Sequence, residues 1–308
     1  MIMMKILKLV KHTFVGFSED NALKLSASLS YYTLFSLAPM LLIFFSIIGF
    51  FYGEDALRGE LYGQINGLVG KEVAIQVQKM VQNAQISGKT GFAGIVGVVM
   101  LFIGATGVFA EIQDSINQIW SLKAKPKNGV IKYLTNRFLS FSLIVSFGFL
   151  FIVSLLVNTL LDAFSHRLSV VFSASTVYLF NAINLGVVWL VMIMLFAIIF
   201  KVLPDGKVAN KDTFIGAGVT ALLFMVGKYV IGSYLGQSNI SNVYGAAGSV
   251  LILLTWVYYS SMILYLGAEF TKVYAMEFGK GIKPASYTVL IKQTEIEATQ
   301  KNVDKIVK

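Results

Sequence analysis

Long uncharged stretches alternate with charged connections along this chain. Residues 25–53, 90–110, 138–161, 168–200 and 229–268 contain no Asp, Glu, Lys or Arg. A bilayer core of about 30 Å needs about 20 apolar helical residues, so each stretch can cross a membrane and the last one holds more than one crossing. The pattern predicts an all-α fold, a polytopic membrane helical bundle with about six transmembrane helices. The predicted crossings are about 30–51, 91–112, 138–160, 177–200, 213–235 and 248–270.

Composition supports this membrane assignment, and the charge distribution orients the chain. Hydrophobic residues make up 56% of the sequence and charged residues 13%. Of 25 Lys and Arg residues, 19 lie on the side of the two termini, 5 lie on the opposite side, and Lys228 lies within a crossing. Because cytoplasmic loops carry an excess of positive residues, both termini are predicted to be cytoplasmic. Cys is absent, and His12 and His166 are far apart, so the sequence predicts no metal site and no cofactor.

The segments outside the crossings carry their own patterns. Residues 1–24 are basic and have apolar residues at helical spacing, namely Met3, Ile6, Leu7, Val10, Phe14 and Phe17. They indicate either an amphipathic helix on the inner membrane face or a solvated charged segment, and they lack the features of a cleaved signal peptide. The outer loop 53–90 has a helical period and predicts one amphipathic helix, which either caps the helix ends or binds a partner. The chain thus divides into 1–24, a transmembrane domain 25–271, and a polar cytoplasmic tail 272–308 that we expect to be mobile.

Lys228 is the clearest anomaly within the crossings. It follows Thr213 by 15 residues, which places it about 22 Å along its helix from the cytoplasmic side. A charge at this depth is costly and indicates a functional site, unless the lysine stem reaches interfacial water. Other polar residues fall in the same outer layer, and with Lys228 they define a predicted substrate-binding or polar cavity: Asn158, Asp162, Asn181 and Asn184. The alternative is that each residue simply reaches water or a neighbouring helix near a crossing end.

Charged residues also gather near the predicted cytoplasmic ends of the crossings. Glu111 and Asp114 are three residues apart on one helical face, and Glu269 lies at a similar level on the last crossing. With Arg137 they form a predicted inner charged cluster. The alternative is a set of independent anchoring charges at helix ends, because paired carboxylates alone are weak evidence for acid–base chemistry.

Small residues and one proline indicate how the helices pack. Ala22, Ser26 and Ser30 recur at four-residue spacing, and Gly232 and Gly236 form a GxxxG pair. Such stripes allow helix backbones to approach closely. Pro39 removes a backbone donor and is expected to bend the first crossing.

Several blocks of sequence, taken in order, resemble a known family. They are LSASLSYYTLFSLAPM at 25–40, EIQDSINQIW at 111–120, Leu203-Pro204, Gly216-Ala217, and YGAAGSVLILLTWVYYSSMILYLGAEFT at 244–271. In their order and spacing they resemble the YihY/BrkB family of bacterial inner-membrane proteins over about residues 10–280. The resemblance implies about six membrane helices and a location in the bacterial inner membrane. The positions that match family motifs are Tyr31, Tyr32, Ser36, Pro39, Trp120, Tyr244, Gly245, Gly248, Trp256, Gly267 and Glu269.

The family has also carried the label ribonuclease BN, which the residues of this chain do not favour. Metal-dependent RNA cleavage needs clustered His and carboxylate ligands, and general acid–base cleavage usually uses His. We therefore expect no enzymatic activity and no nucleic-acid partner. Lys123, Lys125 and Lys127 are better explained by topology and by anionic lipid at the cytoplasmic face.

Three classes of function remain open. Membrane-buried polar residues and glycine-rich helices favour a transporter or flippase for a lipid-like or amphipathic substrate. The main alternative is a non-transporting membrane scaffold or assembly partner, and a pore or small-ion carrier is the least favoured. No GxxxxGK[ST] nucleotide-binding motif is present, so transport would use a gradient, a partner or downhill flow. The predicted partners are membrane lipids, and the sequence does not indicate a protein partner or an oligomeric state.

Overall fold

Helices make up most of the structure, a computed structural model that describes residues 2–36, 92–125, 129–147, 175–237 and 246–291, except 141 and 144, together with 75 and 244. We number the helices of the described chain α1 (Ile2–Glu19), α2 (22–36), α3 (Phe92–Ile119), α4 (129–147), α5 (Ser175–Val202), α6 (Asn210–Gln237) and α7 (Ala246–Glu277). The short strands are β1 (Leu122–Ala124), β2 (Gly206–Lys207), β3 (Lys283–Pro284) and β4 (Thr288–Leu290).

Three of the described helices are long and apolar enough to cross a membrane. They are the segments Leu185–Val202, Asn210–Gln237 and Val250–Glu277, which overlap the last three predicted crossings. Helices α2, α3 and α4 include parts of the first three predicted crossings. The total of six crossings and the orientation of the termini remain predictions. The helix predicted in the outer loop 53–90 lies outside the described residues, apart from residue 75.

Helix α1 is a separate element that packs against α7. It ends at Glu19, and Asn21 turns the chain into α2 with a φ of 54°. Asn is one of the few residues that adopt this left-handed conformation readily. The helix predicted within 1–24 is therefore present, and a sharp turn at Asn21 separates it from α2.

Helices α6 and α7 cross through two matched glycine–threonine contacts. A Cβ on Gly216 of α6 would collide with Thr271 of α7, and a Cβ on Gly267 of α7 would collide with Thr220 of α6. Each threonine hydroxyl donates to the carbonyl of the glycine four residues before it, Thr220 to Gly216 and Thr271 to Gly267, both at 2.7 Å. The hydroxyls are thus satisfied within their own helices while the threonine side chains fill the opposite notches.

The two predicted small-residue stripes differ in how closely they pack within the described chain. Ala22, Ser26 and Ser30 are all buried, which confirms close packing on this face of α2. By contrast, a Cβ on Gly232 would meet no heavy atom within 4 Å in the part of the chain that is described. The packing role of the Gly232–Gly236 pair therefore stays a prediction. Packing between α6 and α7 uses Gly216, Gly227 and Gly267.

Two antiparallel strand pairs are added to the predicted all-helical fold. Strand β1 pairs with β4, and β2 pairs with β3. The tail predicted from 272 therefore begins later, because α7 continues to Glu277 and residues 283–291 run across the ends of other elements. We call residues 283–291 the strap. The strap is held mainly by backbone pairing, which does not require a periodic pattern of apolar side chains. Residues 292–308 lie outside the described chain.

Candidate functional site

A buried carboxylate, Asp205, joins four separate parts of the chain. It lies in the turn between α5 and α6 and is only 4% exposed. Its Oδ1 accepts hydrogen bonds from Gln113 Nε2 at 3.1 Å, Lys132 Nζ at 2.5 Å and Tyr287 Oη at 3.0 Å. Its Oδ2 accepts one from Asn117 Nδ2 at 3.1 Å. We call these five residues the Asp205 junction.

Backbone groups strengthen the Asp205 junction. The Asp205 amide donates to Asn117 Oδ1 at 2.8 Å, so Asn117 binds both the backbone and the side chain of this residue. The Asp205 carbonyl accepts a bond from the Ala285 amide of the strap at 3.0 Å. Lys132 Nζ also lies 4.1 Å from the centroid of the Tyr287 ring, a cation–π distance. Asp205 is thus satisfied through both its side chain and its backbone.

Each partner is placed by its local structure. Gln113 and Asn117 are four residues apart on α3, so their amides project from the same helical face. Lys132 comes from α4, and the turn between β3 and β4 presents Tyr287. The junction therefore ties α3, α4, the α5–α6 turn and the strap to one charge.

The Asp205 junction contains one ion pair, and a further carboxylate, that of Asp114, lies near it. Asp205 and Lys132 form an ion pair with side-chain exposures of 4% and 14%. Burying an ion pair is costly, and the amide and hydroxyl donors reduce that cost. Asp114 lies beyond the predicted crossing that ends at 112, and its pKa is raised by partial burial and by the carboxylates of Glu111 and Asp205, while Lys132 opposes the rise.

A second polar cluster fastens α1 to α7. Lys272 Nζ donates to Asp20 Oδ2 at 2.9 Å and to the buried Glu269 Oε2 at 3.1 Å. His12 Nδ1 lies 2.6 Å from Glu277 Oε1. We call these five residues the α1–α7 clamp. Gly16 is required here because a Cβ at this position would collide with the Glu269 carboxylate.

The four residues of the predicted inner cluster divide among three surroundings. Asp114 is at the edge of the Asp205 junction, with Glu111 beside it. Glu269 belongs to the α1–α7 clamp. Arg137 donates to Thr106 Oγ1 at 2.8 Å and to the Ile103 carbonyl at 3.3 Å, which links α4 to α3. Instead of one cluster, the structure has separate polar contacts between different pairs of elements.

Most of the predicted outer cavity cannot be compared with the structure. Asn158 and Asp162 lie outside the described residues, and Asn181 and Asn184 lie in α5 at positions without described side chains. Lys228 is half-buried on α6, with its Nζ 5.3 Å from the Tyr229 ring centroid. Its convergence with the other four residues remains a prediction.

The positions that match the family motifs have structural surroundings of several kinds. Trp120 is buried, and its Nε1 donates to the Ala268 carbonyl at 3.1 Å, which attaches the end of α3 to α7. The Trp256 ring packs edge-on against Phe224 at 6.0 Å. Buried motif positions are Ser36 and Gly248, whereas exposed ones are Tyr31, Tyr32 and Tyr244. Pro39 and Gly245 lie outside the described residues.

Sequence reasoning missed Asp205 and all four of its partners as a site. Two signals were present nevertheless. Gln113 and Asn117 form an i, i+4 amide pair inside the block at 111–120, and Asp205 follows the Leu203-Pro204 block directly. Two amides on one helical face predict a polar partner if that face is buried, but the partner lies about 90 positions away along the chain.

Replacing Tyr287 by Phe should loosen the strap. The change removes one donor from a buried carboxylate and keeps the ring beside Lys132, so we expect a local loss of about 1–2 kcal/mol. Hydrogen exchange of the strap amides should become faster. In the control Tyr274→Phe, the ring contacts to Phe270 and Phe278 are kept, and exchange of the strap should not change. Equal exchange in Tyr287→Phe and the unmodified protein would contradict the role of this hydroxyl.

The architecture and the buried polar contacts define a helical membrane protein whose loop segments are tied together at one end of the bundle. The family model for Virulence factor BrkB matches residues 13–287. The chain therefore belongs to the virulence factor BrkB family, as its sequence blocks indicated.

Curated relatives carry the name UPF0761 membrane protein. A protein of Pseudoalteromonas atlantica is 26% identical over 86% of this chain and 85% of its own length. One from Vibrio parahaemolyticus is 31% identical over 85% of this chain and 80% of its own length. One from Teredinibacter turnerae is 29% identical, and the match covers 88% of this chain but only 61% of that longer protein. No solved structure matches the chain.

Proposed function

We propose that this protein is a bacterial inner-membrane transporter or flippase for an anionic, lipid-like substrate, with both termini in the cytoplasm. The observation that carries the proposal is the Asp205 junction. Helices α3 and α4, the α5–α6 turn and the strap meet there through one buried charge rather than through apolar packing alone. Bonds of this kind can be exchanged for water when the segments separate, which suits an end of a bundle that opens and closes.

The α6–α7 pair supports the same proposal. Its reciprocal glycine–threonine contacts join two long apolar helices closely, so the pair can move as one body. The Asp205 junction adjoins the start of α6, and Trp120 holds the end of α3 against α7. Release of the junction would let α4 and the strap shift against this pair, while the Trp120 bond keeps the end of α3 on α7. In the proposed mechanism, the described arrangement is the conformation closed on the cytoplasmic side.

Lys228 supplies the proposed contact to the substrate. It lies on α6, 23 positions after the junction aspartate, in a helix that can span the membrane. An ammonium group at membrane depth attracts a phosphate or carboxylate head group, since both are charged acceptors. The substrate class is therefore an amphipathic anion, such as a phospholipid.

The test is transbilayer movement of a fluorescent phospholipid in liposomes that contain the purified protein. We expect faster movement than in empty liposomes. Lys228→Ala should reduce the protein-dependent rate about tenfold, because an ionic hydrogen bond contributes about 1.5–3 kcal/mol. Lys211→Ala, which removes an exposed lysine from the first turn of the same helix, should leave the rate unchanged.

Three outcomes would count against this proposal. If the protein does not accelerate movement, unassisted phospholipid translocation is excluded and a non-transporting scaffold becomes the better explanation. If Lys228→Ala keeps the full rate, the head-group contact lies elsewhere. If both lysine variants lose the rate equally, the effect is one of total charge and not of position.

A further inference from the structure

Helix α1 buries one side and leaves an adjoining apolar side open. Leu9 and Thr13 are buried on the side that faces α7. Leu7, Val10 and Phe14 are 70%, 41% and 59% exposed. Their spacings of three and four residues place them in one stripe along the helix. In the part of the chain that is described, this stripe faces away from the bundle.

Positive charge lies on a third side of α1, next to the open apolar stripe. Lys5, Lys8 and Lys11 are exposed, and residues 2–18 contain no Asp or Glu. At 100° per residue, the three sides follow one another around α1 in the order buried, apolar and basic. A helix with an apolar stripe beside a row of lysines suits the boundary between acyl chains and phosphate groups.

The attachment of α1 places this helix beside the end of a candidate membrane span. The α1–α7 clamp joins the helix to the last turns of α7, through Glu269 and Glu277. Those turns end the candidate span Val250–Glu277. Gly16 lets α1 approach the buried Glu269 closely, so the helix lies against the end of a membrane-spanning segment. From there, lysine stems can reach lipid phosphates while the apolar side chains enter the bilayer.

We propose that α1 is an interfacial helix that binds the anionic phospholipids of the leaflet on its own side of the membrane. Leu7, Val10 and Phe14 insert below the head groups, and Lys5, Lys8 and Lys11 contact the lipid phosphates. Charge complementarity selects this occupant, because α1 carries three exposed lysines and its residues 2–18 include no Asp or Glu. The α1–α7 clamp keeps α1 in contact with α7 while α1 is bound to lipid. The proposal concerns binding and does not depend on whether the protein transports a substrate.

The absence of cysteine from the chain makes a direct test possible. Single variants Leu7→Cys, on the apolar stripe, and Lys8→Cys, on the basic side, are labelled with an environment-sensitive fluorophore. The full chain is reconstituted in vesicles of phosphatidylcholine with phosphatidylglycerol, including lipids spin-labelled just below the head group. We expect strong quenching and a blue-shifted emission at position 7 and little quenching at position 8. Lys283→Cys on β3 serves as an exposed reference.

Two further measurements separate lipid from other occupants. In vesicles without phosphatidylglycerol, or in a Lys5→Ala, Lys11→Ala background with it, quenching at position 7 should fall about twofold or more. Diluting the protein in lipid should not change the quenching. Weak quenching that increases on dilution would instead show a second copy of the chain covering the stripe. Equal quenching at positions 7 and 8, or none at position 7, would also overturn the proposal.

Discussion

Asp205→Ala is expected to destabilise the protein more than any other change of a polar side chain described above. The variant leaves the Lys132 ammonium, 14% exposed, without its carboxylate. It also leaves the amides of Gln113 and Asn117 without their acceptor. Removing one partner of a buried ion pair typically costs about 3–5 kcal/mol. Thermal unfolding in detergent, followed by tryptophan fluorescence, should show a midpoint lower by many degrees.

Asp114→Asn is the matched control for this prediction. Asp114 lies on the same helix as Gln113 and near the same charges, but it is not one of the five residues of the Asp205 junction. Burial and two neighbouring carboxylates already raise its pKa, so replacing it by a neutral amide relieves repulsion. Its midpoint should stay the same or rise slightly. A similar loss in Asp114→Asn and Asp205→Ala would show that the stability depends on total acidic charge and not on the Asp205 junction.

A double-mutant cycle tests whether Asp205 and Lys132 act as a pair. Lys132→Met leaves the carboxylate with its three uncharged donors, and the double variant Asp205→Ala, Lys132→Met removes both charges. Because the second change no longer breaks a pair, the combined loss should be smaller than the sum of the single losses. Additive losses would contradict direct coupling between the two residues.

The helices that could be predicted from sequence are those governed by the bilayer. Helices α5 and α7 follow from uncharged stretches whose lengths match a membrane core, and α6 follows from an apolar stretch that only Lys228 interrupts. This relation needs no knowledge of their neighbours. The same reasoning could not find the Asp205 junction, since its residues are distributed over α3, α4, a turn and the strap. Each is unremarkable alone, and only the folded chain brings them together.

The strap shows a different reason for a missed element. Strands β3 and β4 contain two and three residues, too few for a period of alternating side chains. They are placed by bonds such as Lys125 N to the Tyr287 carbonyl at 2.7 Å and Ile291 N to the Ser121 carbonyl at 2.8 Å. Backbone pairing of this kind leaves little trace in side-chain chemistry, so polar composition alone suggested a mobile tail.

The packing between α6 and α7 could be predicted from the sequence only in part. Gly216 begins one of the sequence blocks and Gly267 is a motif position, but the sequence does not indicate which residue each glycine contacts. The repeated pattern of Gly followed four residues later by Thr, at 216–220 and 267–271, is visible in the sequence. Only the antiparallel crossing of the helices turns it into two contacts in which each threonine faces the other helix's glycine.

Gly267→Ala should therefore destabilise the α6–α7 crossing by about 1–3 kcal/mol, the usual cost of forcing a methyl group into a closely packed contact. The added Cβ would collide with Thr220, a β-branched side chain that also bonds to its own helix and cannot easily move. The measurement is the midpoint of thermal unfolding in detergent, together with the loss of phospholipid movement if the proposed transport requires this crossing.

Gly218→Ala provides the control because it adds the same methyl group to α6 at a position with no heavy atom within 4 Å in the described structure. It should be neutral or slightly stabilising, since Ala favours helix more than Gly does. Thr220→Ala added to Gly267→Ala removes the Oγ1 and Cγ2 atoms that the new methyl would meet, and it should restore part of the loss. If Gly267→Ala and Gly218→Ala have equal midpoints, the two helices tolerate a wider separation. Reciprocal glycine–threonine packing would then not be what holds them together.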